Sequence, residues 1–180
     1  MKRKLIGLVA AVAASLVMAT GASAESAEPK YGGTLKYASH NTTSTPGYTP
    51  DNSNNASLIF LNTAYESLTY YDESGAIIPR LATEWTTDPE EPSITWTLRE
   101  GVQFADGTDF NAEAVKVNIE EYQKCSRNET ANVASVEVID DYTVKMILNS
   151  WNSSTLESVG FFVYYMSPAA LEDVDSLRNS

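Results

Sequence analysis

Residues 79–118 read PRLATEWTTDPEEPSITWTLREGVQFADGTDFNAEAVKVN. Ile94, Trp96 and Leu98 alternate with Thr95, Thr97 and Arg99, so one face of this stretch is apolar and the other polar. A period of two is the signature of a half-buried strand. Trp96 offers a flat aromatic surface, but its place in that alternation assigns it to the core. Gly101 and the Asp106-Gly107 pair mark turns on either side of Val102 and Phe104. Residues 112–124 then carry Val115, Ile119 and Tyr122 at helical spacings of four and three. Asn111 is a helix cap, and Glu113 places negative charge in the first turn. Lys116, Glu120, Gln123 and Lys124 are expected on the wet face, with a Glu120–Lys124 pair along it.

Working toward the N-terminus, residues 88–93 hold two prolines and three acids, a solvent-facing loop. Asp72-Glu73-Ser74-Gly75 is a turn leading to Ile77 and Ile78. Residues 56–65 form a helix with Leu58, Leu61 and Tyr65 as its apolar stripe. Residues 39–55, rich in Asn, Ser, Thr and Pro, are loop, and a long ordered loop is often a binding element. Residues 32–38, GGTLKYA, read as a strand with Leu35 and Tyr37 on one face.

Toward the C-terminus, Val136 and Val138, the turn at Asp140-Asp141, and Val144, Met146 and Leu148 describe a hairpin. Residues 151–159 are a short helix, with Trp151 left open between core and platform. Residues 161–166 are densely aromatic, and any part left exposed is an aggregation liability. Ser167 caps a further helix with Pro168 at its first position. The pattern is α+β.

Lys2, Arg3 and Lys4 precede an apolar run over residues 5–19 and the small residues Ala22-Ser23-Ala24. This is a secretory signal peptide, cut before Glu25. The apolar run is shorter than the span of about 20 residues that a membrane helix needs. No cysteine lies near Ala24 to carry a lipid anchor, so the product is read as extracytoplasmic, periplasmic or secreted. The chain has 24 acidic and 12 basic side chains, a net charge of -12. Loss of the three basic residues of the leader leaves nine basic against 24 acidic, a net charge of -15. No basic patch exists to neutralise a phosphate backbone, which argues against nucleic acid as a partner.

Cys125 is the single cysteine and His40 the single histidine. An intramolecular disulfide is impossible, and nothing in the sequence brings the two together. There is no closely spaced His/Cys ligand set, no Gly-rich phosphate loop and no GxSxG turn. The adjacent carboxylates Glu90-Glu91, Glu120-Glu121 and Asp140-Asp141 point apart or sit in turns. The reading is therefore of no catalytic residue, no metal site and no cofactor, though acids distant in sequence can meet in a fold.

Five stretches, in order, resemble landmarks of the extracytoplasmic solute-binding proteins of ABC importers, in the oligopeptide, dipeptide and nickel family. They are GGTLKYA at 32–38, LIFLNTAYESLTYYDESGAIIPRLATEW at 58–85, LREGVQFADG at 98–107, FNAEAVKVN at 110–118 and MSPAAL at 166–171. The resemblance implies the N-terminal part of a two-lobed periplasmic-binding-protein-like fold, of the type II, large peptide-binding class, incomplete in this chain. It implies residues 1–24 as signal peptide, 25–55 as first strand and loop of lobe I, and 56–180 as accessory subdomain with a partial return to lobe I, the second lobe being absent. The implied function is non-catalytic capture of an oligopeptide or dipeptide and its delivery to membrane permease subunits. Nickel or another small solute, a truncated secreted interaction module and a secreted hydrolase domain stand as alternatives. By position in the family, Tyr37, Ser39, His40, Asn41 and Thr42 are the expected ligand contacts, with Tyr37 also readable as a core side chain and His40 as a surface loop residue.

Overall fold

The computed structural model describes residues 31–34, 36, 45–52 and 55–179. The chain divides into two compact units, residues 1–37 and residues 38–180. In the first, Gly32 and Gly33 have φ of +87° and +95°, a backbone unlike that of a strand. The described part of the expected strand over 32–38 is therefore not strand; Leu35, Tyr37 and Ala38 lie outside the described residues.

The second unit is built around an antiparallel four-stranded sheet. Helix α1 spans Asn55–Ala64. A hairpin follows, β1 at Thr69–Tyr71 and β2 at Ile77–Pro79. Its turn is held by Asp72, whose Oδ1 accepts from the amides of Ser74 and Ala76 at 2.8 and 3.0 Å. Strands β3 (Ala82–Asp88), β4 (Ser93–Leu98), β5 (Val133–Asp140) and β6 (Thr143–Leu148) form the larger sheet in the order β3-β4-β6-β5. Helix α2 (Ala112–Lys124) lies between β4 and β5 in the chain, and α3 (Ser153–Phe161) and α4 (Val174–Arg178) follow β6.

The alternation in β4 decides which face is core. Ile94, Trp96 and Leu98 are buried, and they pair in register with β6, where Met146 faces Ile94 and Val144 faces Trp96. Cross-strand apolar pairs of this kind are the unit of sheet stabilisation. Val115, Ile119 and Tyr122 of α2 bury against the same core, as the helical spacing requires. The Asn111 cap is made as expected, its side chain accepting from the Ala114 amide at 2.9 Å.

The structure corrects several expectations about α2. Lys116 and Gln123 are half-buried rather than wet, and Gln123 Nε2 donates to the Val133 carbonyl at 2.7 Å, stitching the helix to β5. Lys124 pairs with Glu121 at 2.8 Å instead of Glu120. Glu121 is already fixed in place by Tyr48, so it presents an ordered acceptor, whereas Glu120 is exposed. Asn118 is fully buried on the apolar face. Its Nδ2 donates to the carbonyls of Ala114 and Met166 at 2.9 and 2.8 Å, and its Oδ1 accepts from the Met166 amide at 2.9 Å.

Those bonds hold the aromatic run in an extended path across α2. Val163, Tyr164, Tyr165 and Met166 are buried, while Phe161 and Phe162 are half-buried. Phe161 stacks with Tyr71 at 4.7 Å between ring centroids and with Tyr70 at 5.7 Å. After Ser167 the chain makes a short 3-10 turn, Ala170–Asp173, before α4. The serine acts locally as expected, accepting from the Ala169 amide at 3.2 Å. The regular α-helix nevertheless begins at Val174, later than the Ser167-Pro168 signal places it.

Gly160 in α3 shows how closely the layers approach. A Cβ there would lie 2.7 Å from Thr69 Oγ1 and 3.1 Å from the Trp96 ring. Both neighbours are buried and backed by core. Alanine normally gains about 1 kcal/mol over glycine inside a helix, but overpacking a tight core costs about 1–3 kcal/mol. Gly160→Ala is expected to lower the unfolding free energy by about 1 kcal/mol, the overpacking cost less the helix gain, read as a fall in the urea midpoint; an unchanged or raised midpoint would contradict this packing.

Candidate functional site

The expected ligand residues Tyr37, Ser39, His40, Asn41 and Thr42 all lie outside the described residues. Trp96, the possible platform, is fully buried core. Trp151 is half-buried and packs against that core. The adjacent carboxylates serve turns and pairs. Asp88 Oδ1 accepts the amides of Glu90 and Glu91 at 2.9 and 3.0 Å, and Asp140 Oδ1 accepts that of Tyr142 at 2.8 Å. No group of three or more His, Cys, Asp or Glu side chains fit to hold a metal occurs among the described residues.

Two constellations that sequence reasoning did not assemble are present. One is a half-open cleft of about 280 Å³ between the end of α1, residues 102–106 and Ser167. Gly101 and Gly107, at φ +71° and +86°, fold residues 101–110 back on themselves. Phe104 N donates to the Thr108 carbonyl at 2.8 Å and Phe110 N to the Val102 carbonyl at 2.9 Å. Leu81, Phe104 and Phe110 make the apolar floor, the two phenyl rings meeting edge-on at 6.0 Å. Asp106 stands at the rim. It accepts from the Thr108 amide at 2.9 Å, from the Thr108 hydroxyl at 2.6 Å and from the Ser167 hydroxyl. These donors, Ser167 foremost, hold its carboxyl below the usual range. Glu66 stands on the opposite chain segment and accepts from Arg80 Nε at 2.9 Å.

The second constellation ties together residues far apart in sequence. Tyr48 is buried and donates to Glu121 Oε1 at 2.6 Å. Its oxygen lies 3.1 Å from Cys125 Sγ. Because the phenol proton is committed to the carboxylate, the thiol is left as the donor in that second contact. Arg178 lies over the Tyr48 ring at 4.6 Å and pairs with Asp51 at 2.9 Å. Burial foremost pushes the Tyr48 phenol up, and the hydrogen bond it donates to the Glu121 carboxylate pushes it further. Burial also pushes Glu121 up, but hydrogen bonds from Lys124 and Tyr48 and the charges of Lys124 and Arg178 outweigh it, leaving the carboxyl below its ordinary value. Cys125 is half-buried and free, as its place at the end of the helix suggests. Glu121 and Tyr48 were visible in the sequence only as one member of a Glu-Glu pair and one loop tyrosine, with no spacing to join them.

Residues 76–178 match the family of bacterial extracellular solute-binding proteins, family 5 Middle. The chain belongs to that family. The matched range runs from β2 through α4 and so takes in the whole four-stranded sheet. The glutathione-binding protein GsiB of Escherichia coli (strain K12) is 36% identical over 114 residues, covering 60% of this chain and 22% of that protein. This family 5 chain thus spans 22% of the length of the curated relatives it matches. Among solved structures, NikA from Brucella suis, in complex with Fe(III)-EDTA, is similar with a TM-score of 0.58 and 29% identity, over 62% of this chain and 24% of that one. DppA from Helicobacter pylori, in complex with the peptide STSA, is similar with a TM-score of 0.60 over 75% of this chain and 30% of that one; at 21% identity this likeness concerns the fold alone. The mixed α and β architecture is thus that of part of a two-lobed periplasmic binding protein, the class the sequence resemblance implied. Among the described residues no helix is long and apolar enough to cross a membrane.

The Tyr48 constellation gives a pH-dependent prediction. Tyr48→Phe removes one donor from a buried carboxylate, a loss of about 1–3 kcal/mol at pH 7. A carboxyl whose folded pKa is depressed contributes its stability above the unfolded value of about 4.3 and loses it as pH falls through the lower folded value. The gap between wild type and Tyr48→Phe in urea unfolding is therefore expected to be full at pH 7 and to shrink below about pH 4. A gap independent of pH would mean that Glu121 does not carry the interaction.

Proposed function

We propose that this chain recognises a solute outside the cytoplasm for uptake by an ABC importer, and that the solute is a short peptide. The observation that supports this most is the family match over residues 76–178, which coincides with the folded sheet-and-helix unit. The peptide reading draws on the relatives: one is named for glutathione, itself a tripeptide, and another holds the tetrapeptide STSA. Nickel is the weaker reading for a chain with one histidine.

In this proposal residues 1–24 are the signal peptide, 25–55 begin lobe I, and 56–180 form the accessory subdomain and start the return to lobe I. Tyr37, Ser39, His40, Asn41 and Thr42 supply solute contacts. The hydrogen-bonding groups of Ser39, Asn41 and Thr42, with the backbone around them, suit a peptide main chain, a mode that tolerates varied side chains. The bound solute passes to membrane permease subunits, and no covalent step occurs on this chain. Affinity then includes the free energy of any shift between open and closed forms.

Isothermal calorimetry of the secreted chain against a mixed set of di- to pentapeptides tests this. Peptide binding without release of hydrolysed products is expected, and Asn41→Ala with Thr42→Ala is expected to weaken it by about tenfold, or 1.4 kcal/mol. Tight binding of Ni(II) or a sugar with no response to peptides overturns the peptide reading, and peptide hydrolysis overturns the non-catalytic one.

A further inference from the structure

Residues 152–154 read Asn-Ser-Ser, the Asn-X-Ser/Thr triplet that accepts N-linked sugar in exported chains. The same triplet occurs at Asn41-Thr42-Thr43, Asn55-Ala56-Ser57 and Asn128-Glu129-Thr130. What an acceptor needs is an exposed asparagine with the hydroxyl of the third residue turned toward it. Thr130 is fully buried, and its hydroxyl turns back to the Arg127 carbonyl at 3.4 Å. At 152–154 all three residues are exposed. Asn152 Oδ1 accepts from the Ser154 amide at 3.0 Å and from the Ser154 hydroxyl at 2.9 Å. Its Nδ2 meets no partner among the described residues. Asn132 Nδ2 holds the chain on both sides of this turn, donating to the Ser150 carbonyl at 3.0 Å and to Thr155 Oγ1 at 2.8 Å. The Asn152 amide is thus presented in one conformation at the start of α3, with its nitrogen free.

We propose that Asn152 is an N-glycosylation site of the exported chain. This rests on reading residues 1–24 as an export signal and is independent of which solute the chain binds. An amide nitrogen is a weak nucleophile, because its lone pair is shared with the carbonyl. The two hydrogen bonds to Asn152 Oδ1 draw electron density onto the oxygen and ease the loss of an Nδ2 proton. The co-reactant is a glycosyl donor with a diphosphate leaving group at its anomeric carbon. Asn152 Nδ2 forms a bond to that carbon. The bond from carbon to the diphosphate oxygen breaks, its electron pair departs on the diphosphate, and one Nδ2 proton passes to a base of the transferring enzyme. Oδ1 takes no part in bond making, so the modified side chain still caps α3. The sugar then stands on an exposed turn and displaces no core side chain.

The test is intact-mass and peptide-fragmentation mass spectrometry of the full chain isolated from its native host. Sugar mass on the peptide that holds Asn152 is expected, lost in full in Asn152→Asp and in Ser154→Ala and retained in Ser154→Thr. Asn152→Asp keeps an oxygen to cap the helix and removes only the nucleophilic nitrogen. Ser154→Ala keeps the backbone amide that Oδ1 accepts and removes only the hydroxyl. Both variants are expected to keep the circular dichroism spectrum of the wild type, which separates loss of modification from loss of fold. A bare Asn152, or sugar confined to Asn41, Asn55 or Asn128, overturns the inference. The N-terminus of the same sample separates this failure from that of the export reading. A chain that starts at Glu25 with Asn152 bare overturns the site alone, and one that starts at Met1 with Asn152 bare overturns both.

Discussion

The buried polar row on α2 is the constraint on which the rest of this unit depends. Asn118 exchanges hydrogen bonds with both backbone groups of Met166. One turn on, Tyr122 donates to Thr49 Oγ1 at 3.0 Å and accepts from the Tyr164 amide at 3.1 Å. Thr49 in turn donates to the Tyr164 carbonyl at 3.1 Å. An extended segment has no internal hydrogen bonds, so burying residues 163–166 would strand several amides and carbonyls. Each such unpaired group costs about 1–3 kcal/mol. The side chains of α2 and Thr49 take the place of a neighbouring strand.

The consequences reach both constellations. Holding Met166 sets Ser167 at the rim of the cleft, where its hydroxyl meets Asp106. Holding Tyr164 draws residues 45–52 onto α2, where Tyr48 meets Glu121 and Cys125. The aromatic run that looked like a liability in sequence is for the most part enclosed by this arrangement. Phe161 and Phe162, outside its reach, rest in a half-exposed cluster with Tyr70 and Tyr71.

Much of the architecture was legible where local pattern and burial coincide. The Asn111 cap, the Val115–Ile119–Tyr122 stripe and the alternation in β4 and β6 each point to one outcome, and each is found. Strand β3 carries no such signature, because it is an edge strand whose Thr83, Glu84, Thr86 and Thr87 give no apolar alternation. Strand β1, at three residues, is too short for a period to show. The burial of Asn118 and Glu121 was hidden for another reason. Residue type argues for solvent, and only partners 48 and 73 positions away in sequence make burial tolerable. The cleft has no local sequence signature either, since its lining comes from several separate segments.

The most direct measurement is native-state amide hydrogen exchange at Tyr164 and Met166, compared with Trp96 and Val144 in the sheet. If α2 substitutes for a strand, the two amides of the extended segment exchange only through openings nearly as costly as those of the sheet. Rapid exchange at Tyr164 and Met166, with the sheet amides still protected, would show that the segment rests on α2 without being held there, and would contradict the account.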